Sequence, residues 1–89
     1  MENSIEVHFT PHFVRSVKKM PDNLLEDIFD KVELLKNREN HIMLKVHKLN
    51  GSMKDLFSFS VNFKIRIIFK YVSKNEVVCM FAGDHDGVY

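Results

Sequence analysis

Three residues of this chain are of types that do chemistry and stand where a scaffold could hold them. His85 lies between two carboxylates in Gly83-Asp84-His85-Asp86-Gly87-Val88-Tyr89. The apolar run before it, residues 76–82, has the length and composition of a short strand. Gly83 is expected to end that strand by freeing the backbone, so that His85 emerges just past a sheet edge. Histidine's ordinary pKa lies near neutrality, which suits it to taking up and returning a proton. The alternative is a disordered terminus that happens to contain it. His47 sits in a basic stretch with Lys45, Lys48 and Lys54 around Gly51, where a loop-capping histidine in a solvated loop is the plainer reading. Arg66 falls in an apolar run and offers a planar fork of donors for an oxyanion. Its plainer reading is an exposed arginine paired with a strand neighbour such as Glu76.

The elements that must position these residues follow from periodicity. Ile5, Val7 and Phe9 alternate with Glu6 and His8, the pattern of a short edge strand. Thr10-Pro11 then supplies a helix start, and Phe13, Val17 and Met20 follow at helical spacing. Pro21-Asp22 breaks and restarts the helix. Leu24, Leu25, Ile28, Val32 and Leu35 then recur at three- and four-residue steps, predicting a longer amphipathic helix over residues 22–36. The two helices are expected to form a hairpin against one side of a sheet. After Lys36 the pattern dissolves and alternation does not return until about Leu56, a connection of roughly 15 residues or more, which is long for a compact domain and of the kind that carries function. From there the chain is strand-like. Phe57, Phe59 and Val61 alternate with serines, residues 65–71 follow after a turn at Asn62-Phe63, and residues 76–82 follow after Ser73-Lys74-Asn75, an antiparallel meander. The fold class expected is therefore α+β, in the order β-α-α-β-β-β, as one domain over residues 1–89. If Ile65, Ile67, Phe69 and Tyr71 face the helices, then Arg66, Ile68 and Lys70 face the other way, onto a side that no remaining element covers.

Composition narrows the class of function. With 45% hydrophobic and 28% charged residues, the chain has the balance of a globular protein. A net charge of +1 means that any nucleic-acid surface must come from local clustering of Lys and Arg. One cysteine, Cys79, excludes a disulfide framework and a cysteine-based metal site. His8, His12 and His41 lack the mutual spacing of a metal site, so surface or packing roles are expected for them. The methionines and Cys79 are expected in or near the core. No segment has the character of a signal peptide or a membrane span, and the cytoplasm is the compartment expected. The residues call for no cofactor.

The segments His47-Lys48-Leu49-Asn50-Gly51-Ser52-Met53-Lys54, Phe57-Ser58-Phe59-Ser60-Val61, Lys64-Ile65-Arg66-Ile67-Ile68-Phe69 and Gly83-Asp84-His85-Asp86-Gly87-Val88-Tyr89 together resemble the RelE/ParE superfamily of bacterial toxins. Within it they resemble the YafQ-like mRNA interferases, which carry H-K-L-x-G, R-I-I-F and G-x-H-x-x-V-Y in this order. The resemblance covers the whole chain. It implies a RelE-like fold and a toxin of a type II toxin–antitoxin pair: a metal-independent endoribonuclease that cleaves mRNA, commonly in the ribosomal A site, and is silenced by a cognate antitoxin. It carries catalytic roles to His85, His47 and Arg66, with Lys45, Lys48 and Lys54 positioning the RNA backbone and Tyr89 stacking on a base. The competing class is a non-catalytic or decayed protein of the same fold, including a ParE-like gyrase inhibitor. His47 and His85 favour the nuclease, since a gyrase-binding surface has no evident need of them.

Overall fold

The computed structural model describes residues 3–51 and 55–84. Strand β1 (Glu6–Phe9) ends at Thr10, whose extended backbone and hydroxyl start helix α1 (Pro11–Lys18): the hydroxyl accepts from the Phe13 N–H at 3.0 Å, and Pro11 occupies the first turn, where no N–H is needed. Pro21 precedes α2 (Asp22–Leu35), which turns Ile28, Val32 and Leu35 inward at helical spacing. At its far end the His41 ring bonds the Leu35 carbonyl at 2.8 Å and the Asn40 amide donates to the Leu34 carbonyl at 3.0 Å, satisfying acceptors that the helix itself leaves open.

Five strands form one sheet in the order β1-β5-β4-β3-β2, with β2 at His47–Lys48, β3 at Phe57–Ser60, β4 at Ile65–Ser73 and β5 at Glu76–Asp84. β1 runs parallel to β5, and the other neighbours are antiparallel. The expected α+β architecture, a helical hairpin on a mostly antiparallel sheet, is the one found. Phe13, Val17, Ile28, Val32 and Leu35 from the helices meet Phe59, Ile67, Phe69, Val77 and Cys79 from the sheet in one core. Each fully buried side chain of this size contributes about 1.5–3 kcal/mol.

The structure departs from the sequence reading in four places. The long connection after α2 holds a short 3₁₀ turn (Arg38–Asn40) and β2, which pairs with β3 through His47↔Ser58 and Lys48↔Phe57. A two-residue strand has no alternation for a sequence pattern to reveal. Gly83 does not end β5: it pairs with Arg66, and the strand continues to Asp84, because β4 is long enough to keep offering partners. The face away from the helices is not bare. Ile68 is fully buried there against Leu49, Leu56 and Phe81, and the backbone bond from Leu49 N–H to the Leu56 carbonyl, 2.8 Å, brings the two leucines together. Met43, expected near the core, is 59% exposed on a turn.

β5 carries one more irregularity. Ile68 pairs with Phe81 but Phe69 with Cys79, so Met80 is an extra residue, a bulge. Its carbonyl accepts the Thr10 hydroxyl at 3.0 Å, while the Thr10 N–H donates to the Cys79 carbonyl at 3.1 Å. One side chain thus starts α1 and clamps it to the bulge.

Thr10→Ala is expected to lower stability by about 1–2 kcal/mol, through loss of the cap and of the bond to Met80, while Thr10→Ser keeps both; urea unfolding of the three proteins tests this. Burial pushes the Cys79 thiol from its ordinary 9.0 up to about 12. The folded state therefore favours the neutral thiol, and its stabilising contribution is full below about pH 9 and is lost as pH rises towards 12. A thiol reagent at pH 8 should label native Cys79 only as fast as the core opens, and the urea-unfolded chain at once.

Candidate functional site

The face opposite the helices gathers the chemistry-bearing residues in two neighbouring rows. His47, Ser58, Ile68 and Phe81 are register partners across β2, β3, β4 and β5, and Ser60, Arg66 and Gly83 form the next row. Strand alternation places His47, Ser58, Ser60 and Arg66 on this same face. Ordinary sheet spacing separates the Cα atoms of His47 and Arg66 by about 12 Å.

His47 is exposed and held from both ring nitrogens. Nδ1 lies 2.9 Å from the Lys45 carbonyl oxygen, and Nε2 lies 3.4 Å from Ser58 Oγ. A carbonyl only accepts, so Nδ1 carries the hydrogen, and Nε2 is the basic nitrogen of the neutral ring. Lys45 aims its carbonyl from a left-handed conformation, φ 58°, that costs a residue with a side chain of order 1 kcal/mol or more. Ser58 is fully buried and was read only as the polar half of an alternation. Its role beside His47 depends on β2 pairing with β3, which no local signal discloses.

Arg66 is half-buried, and it does not pair with Glu76. Nη1 donates to the Asn62 carbonyl at 2.7 Å and lies 3.4 Å from the Ile65 carbonyl, turning the guanidinium towards the β3–β4 turn and away from the His47 row. Flanking residues Ser60 and Gly83 are small, so the face beside Arg66 stays low. Glu76 instead lies 3.3 Å from His8 Nε2, and Glu6 lies 3.9 Å from the same nitrogen. This Glu6–His8–Glu76 trio has ligand atoms mutually within 4.8 Å, close enough to hold a metal ion, and is solvent-facing. The spacing of the histidines in sequence hid it, because Glu76 arrives from another strand. His12 meets Phe81 edge to face at 6.2 Å.

The basic residues are dispersed. Lys45 and Lys48 are both exposed, but Lys48 pairs with Phe57, whose ring stacks on Phe69 of the main core, so alternation turns Lys48 to the opposite side from His47. His85, Tyr89 and Lys54 lie outside the described residues. The described part of β5 reaches Asp84, the register partner of Ile65, which is one position from Arg66.

No protein-family model and no curated protein matches this sequence. Solved structures do match. A chain of the RelBE2 toxin–antitoxin complex from Mycobacterium tuberculosis superposes with a TM-score of 0.75 at 16% identity, over 93% of each chain. A chain of the Escherichia coli DinJ–YafQ toxin–antitoxin complex does so at 0.72 and 17%, over 97% of this chain and 98% of that one. YafQ from E. coli matches at 0.69 and 16%, over 96% and 98%. At such identities the likeness is one of fold, and the fold is that of the RelE and YafQ toxins.

Removing the Arg66 guanidinium leaves the half-buried turn carbonyl without its donor. Arg66→Ala is therefore expected to lose about 1 kcal/mol of stability, read from the midpoint of urea unfolding; an unchanged midpoint would reduce the contact to a passive one.

Proposed function

We propose that this chain, with its RelE/YafQ toxin fold, is the toxin of a type II toxin–antitoxin pair and cleaves mRNA without a metal, on the ribosome, to stop translation in the cytoplasm. The observation that carries the reading is a histidine whose basic Nε2 is set by its hydrogen bonds, standing on the same sheet face as an arginine at the point where β5 leads to a second histidine.

Cleaving RNA requires a base for the ribose 2′-hydroxyl, charge stabilisation at phosphorus and an acid for the departing 5′ oxygen. The 2′ oxygen attacks phosphorus as it loses its proton, and the bond to the 5′ oxygen breaks as that oxygen gains one. His85 is the main proton-transfer group and His47 the second, each such role contributing roughly 10²–10⁴-fold. Arg66 keeps further N–H donors beyond the one on Asn62 and holds the phosphate through them. Lys45 and Lys54 draw in the RNA backbone and Tyr89 stacks on an exposed base, while Lys48, turned to the other side of β2, is left out of this role.

A cognate antitoxin is the second partner in this reading, supported by the like-folded chains found in toxin–antitoxin complexes. With Ile68 covered by its own chain, the open sheet face offers such a partner little apolar surface. The helical side offers more: a groove of about 270 Å³ lined by Phe9, Phe13, Val14, Val17, Leu25 and Phe29, with Lys18 at its edge. An amphipathic segment with apolar anchors and a carboxylate for Lys18 fits it.

Induced expression in bacteria is expected to arrest growth with cleavage of mRNA, and His85→Ala in a soluble, folded protein to relieve the arrest. Co-expression of a neighbouring acidic reading frame should relieve it too, as a co-purifying complex of higher Tm. Undiminished arrest by His85→Ala would rule the mechanism out, and altered DNA supercoiling with intact mRNA would replace it with gyrase inhibition.

A further inference from the structure

The β3–β4 turn holds a feature that the reaction above does not use. Phe63, at its tip, is 92% exposed. Turns of this kind are served by Asn, Gly, Asp and Ser, each with a conformational reason to be there, and a phenyl ring in water has none. The turn is also held from three directions. Asn62 Oδ1 accepts the N–H groups of Lys64 and Ile65, each at 2.8 Å; Arg66 Nη1 donates to the Asn62 carbonyl at 2.7 Å; and Val61 N–H closes the hairpin on the Ile65 carbonyl at 3.0 Å. The ring is thus offered on a braced support, and fixing it in contact with a ligand costs little further backbone freedom.

Its surroundings indicate the ligand. Lys64 is exposed beside it in sequence, and Arg66 reaches back to the same turn. Asp84, across from Ile65, is the acidic group nearest in register, so the tip carries two cations against one carboxylate. A flat apolar ring set among cations matches a single-stranded nucleic acid, which presents unstacked bases along an anionic backbone. The tip also stands beside Asp84, which pairs with Ile65 and precedes His85 in the sequence.

We propose that Phe63 is a base-stacking platform, seating one unpaired nucleobase of single-stranded RNA while Lys64 and Arg66 take the adjoining phosphates. The inference rests on the RNA-cleaving reading and adds to it a second stacking position, far along the chain from Tyr89.

The test is binding of a short, fluorescently labelled, fully 2′-O-methylated single-stranded RNA, which offers no 2′-hydroxyl for cleavage, followed by anisotropy at low salt. Phe63→Leu keeps an apolar side chain of similar bulk and removes the aromatic face; it should bind about tenfold or more weakly. Phe63→Trp should bind at least as tightly as the parent, and both variants should keep its Tm, since the ring is exposed. Equal affinity of Phe63→Leu and the parent overturns the stacking role and assigns the tip to protein docking. A parent chain that fails to bind the oligonucleotide overturns it as well, and cleavage of mRNA on translating ribosomes, measured in parallel, shows whether the broader reading falls with it.

Discussion

The constraint that organises this molecule is that β4 must be covered on both sides. Ile67, Ile68 and Phe69 are consecutive in the strand and all fully buried, so their side chains enter the interior on opposite faces of the sheet. The helical hairpin can cover only one of those faces. The other has to be sealed by whatever the 89-residue chain has left, which is the segment that brings Leu49 and Leu56 together over Ile68. Sealing it draws the chain before Leu49 along β3 as a short fifth strand, and that strand puts His47 beside Ser58. A demand made by packing thus places the histidine on which the proposed chemistry depends.

Much of this was legible in the sequence because the main core obeys simple periods. Thr10-Pro11, the three- and four-residue steps of α2 and the alternations of β3 and β4 each state their local structure without help from the rest of the chain. What was not legible is what requires two distant segments at once. β2 exists only as a partner for β3, the trio around His8 exists only because Glu76 lands beside β1, and the extension of β5 through Gly83 exists only because β4 keeps offering hydrogen bonds. The burial of Ile68 belongs to the same class. Alternation assigned its face correctly, but whether a face is wet is a property of the whole chain.

Arg66 shows how a site and its scaffold share one side chain. The guanidinium braces the turn through Asn62, and a planar fork with five donors can do so and still present the remainder to an anion. A lysine carries the same charge with no such division of labour. This matters in a protein of net charge +1, where anion binding depends on where a few cations are fixed rather than on a field spread over the surface.

The clamp between Thr10 and the Met80 bulge has a kinetic side. These residues stand 70 positions apart, and the parallel pairing of β1 with β5 has the same reach. Contacts so distant form late, because closing the long loop between them is an entropic cost met before any contact repays it. On a growing chain β1 finds no strand to lie against, and α1 no seat, until β5 has been made. The sheet is therefore completed only once β5 has been made, and a chain cut short before β5 lacks the strand that joins β1 to β4 and that precedes His85 in the sequence.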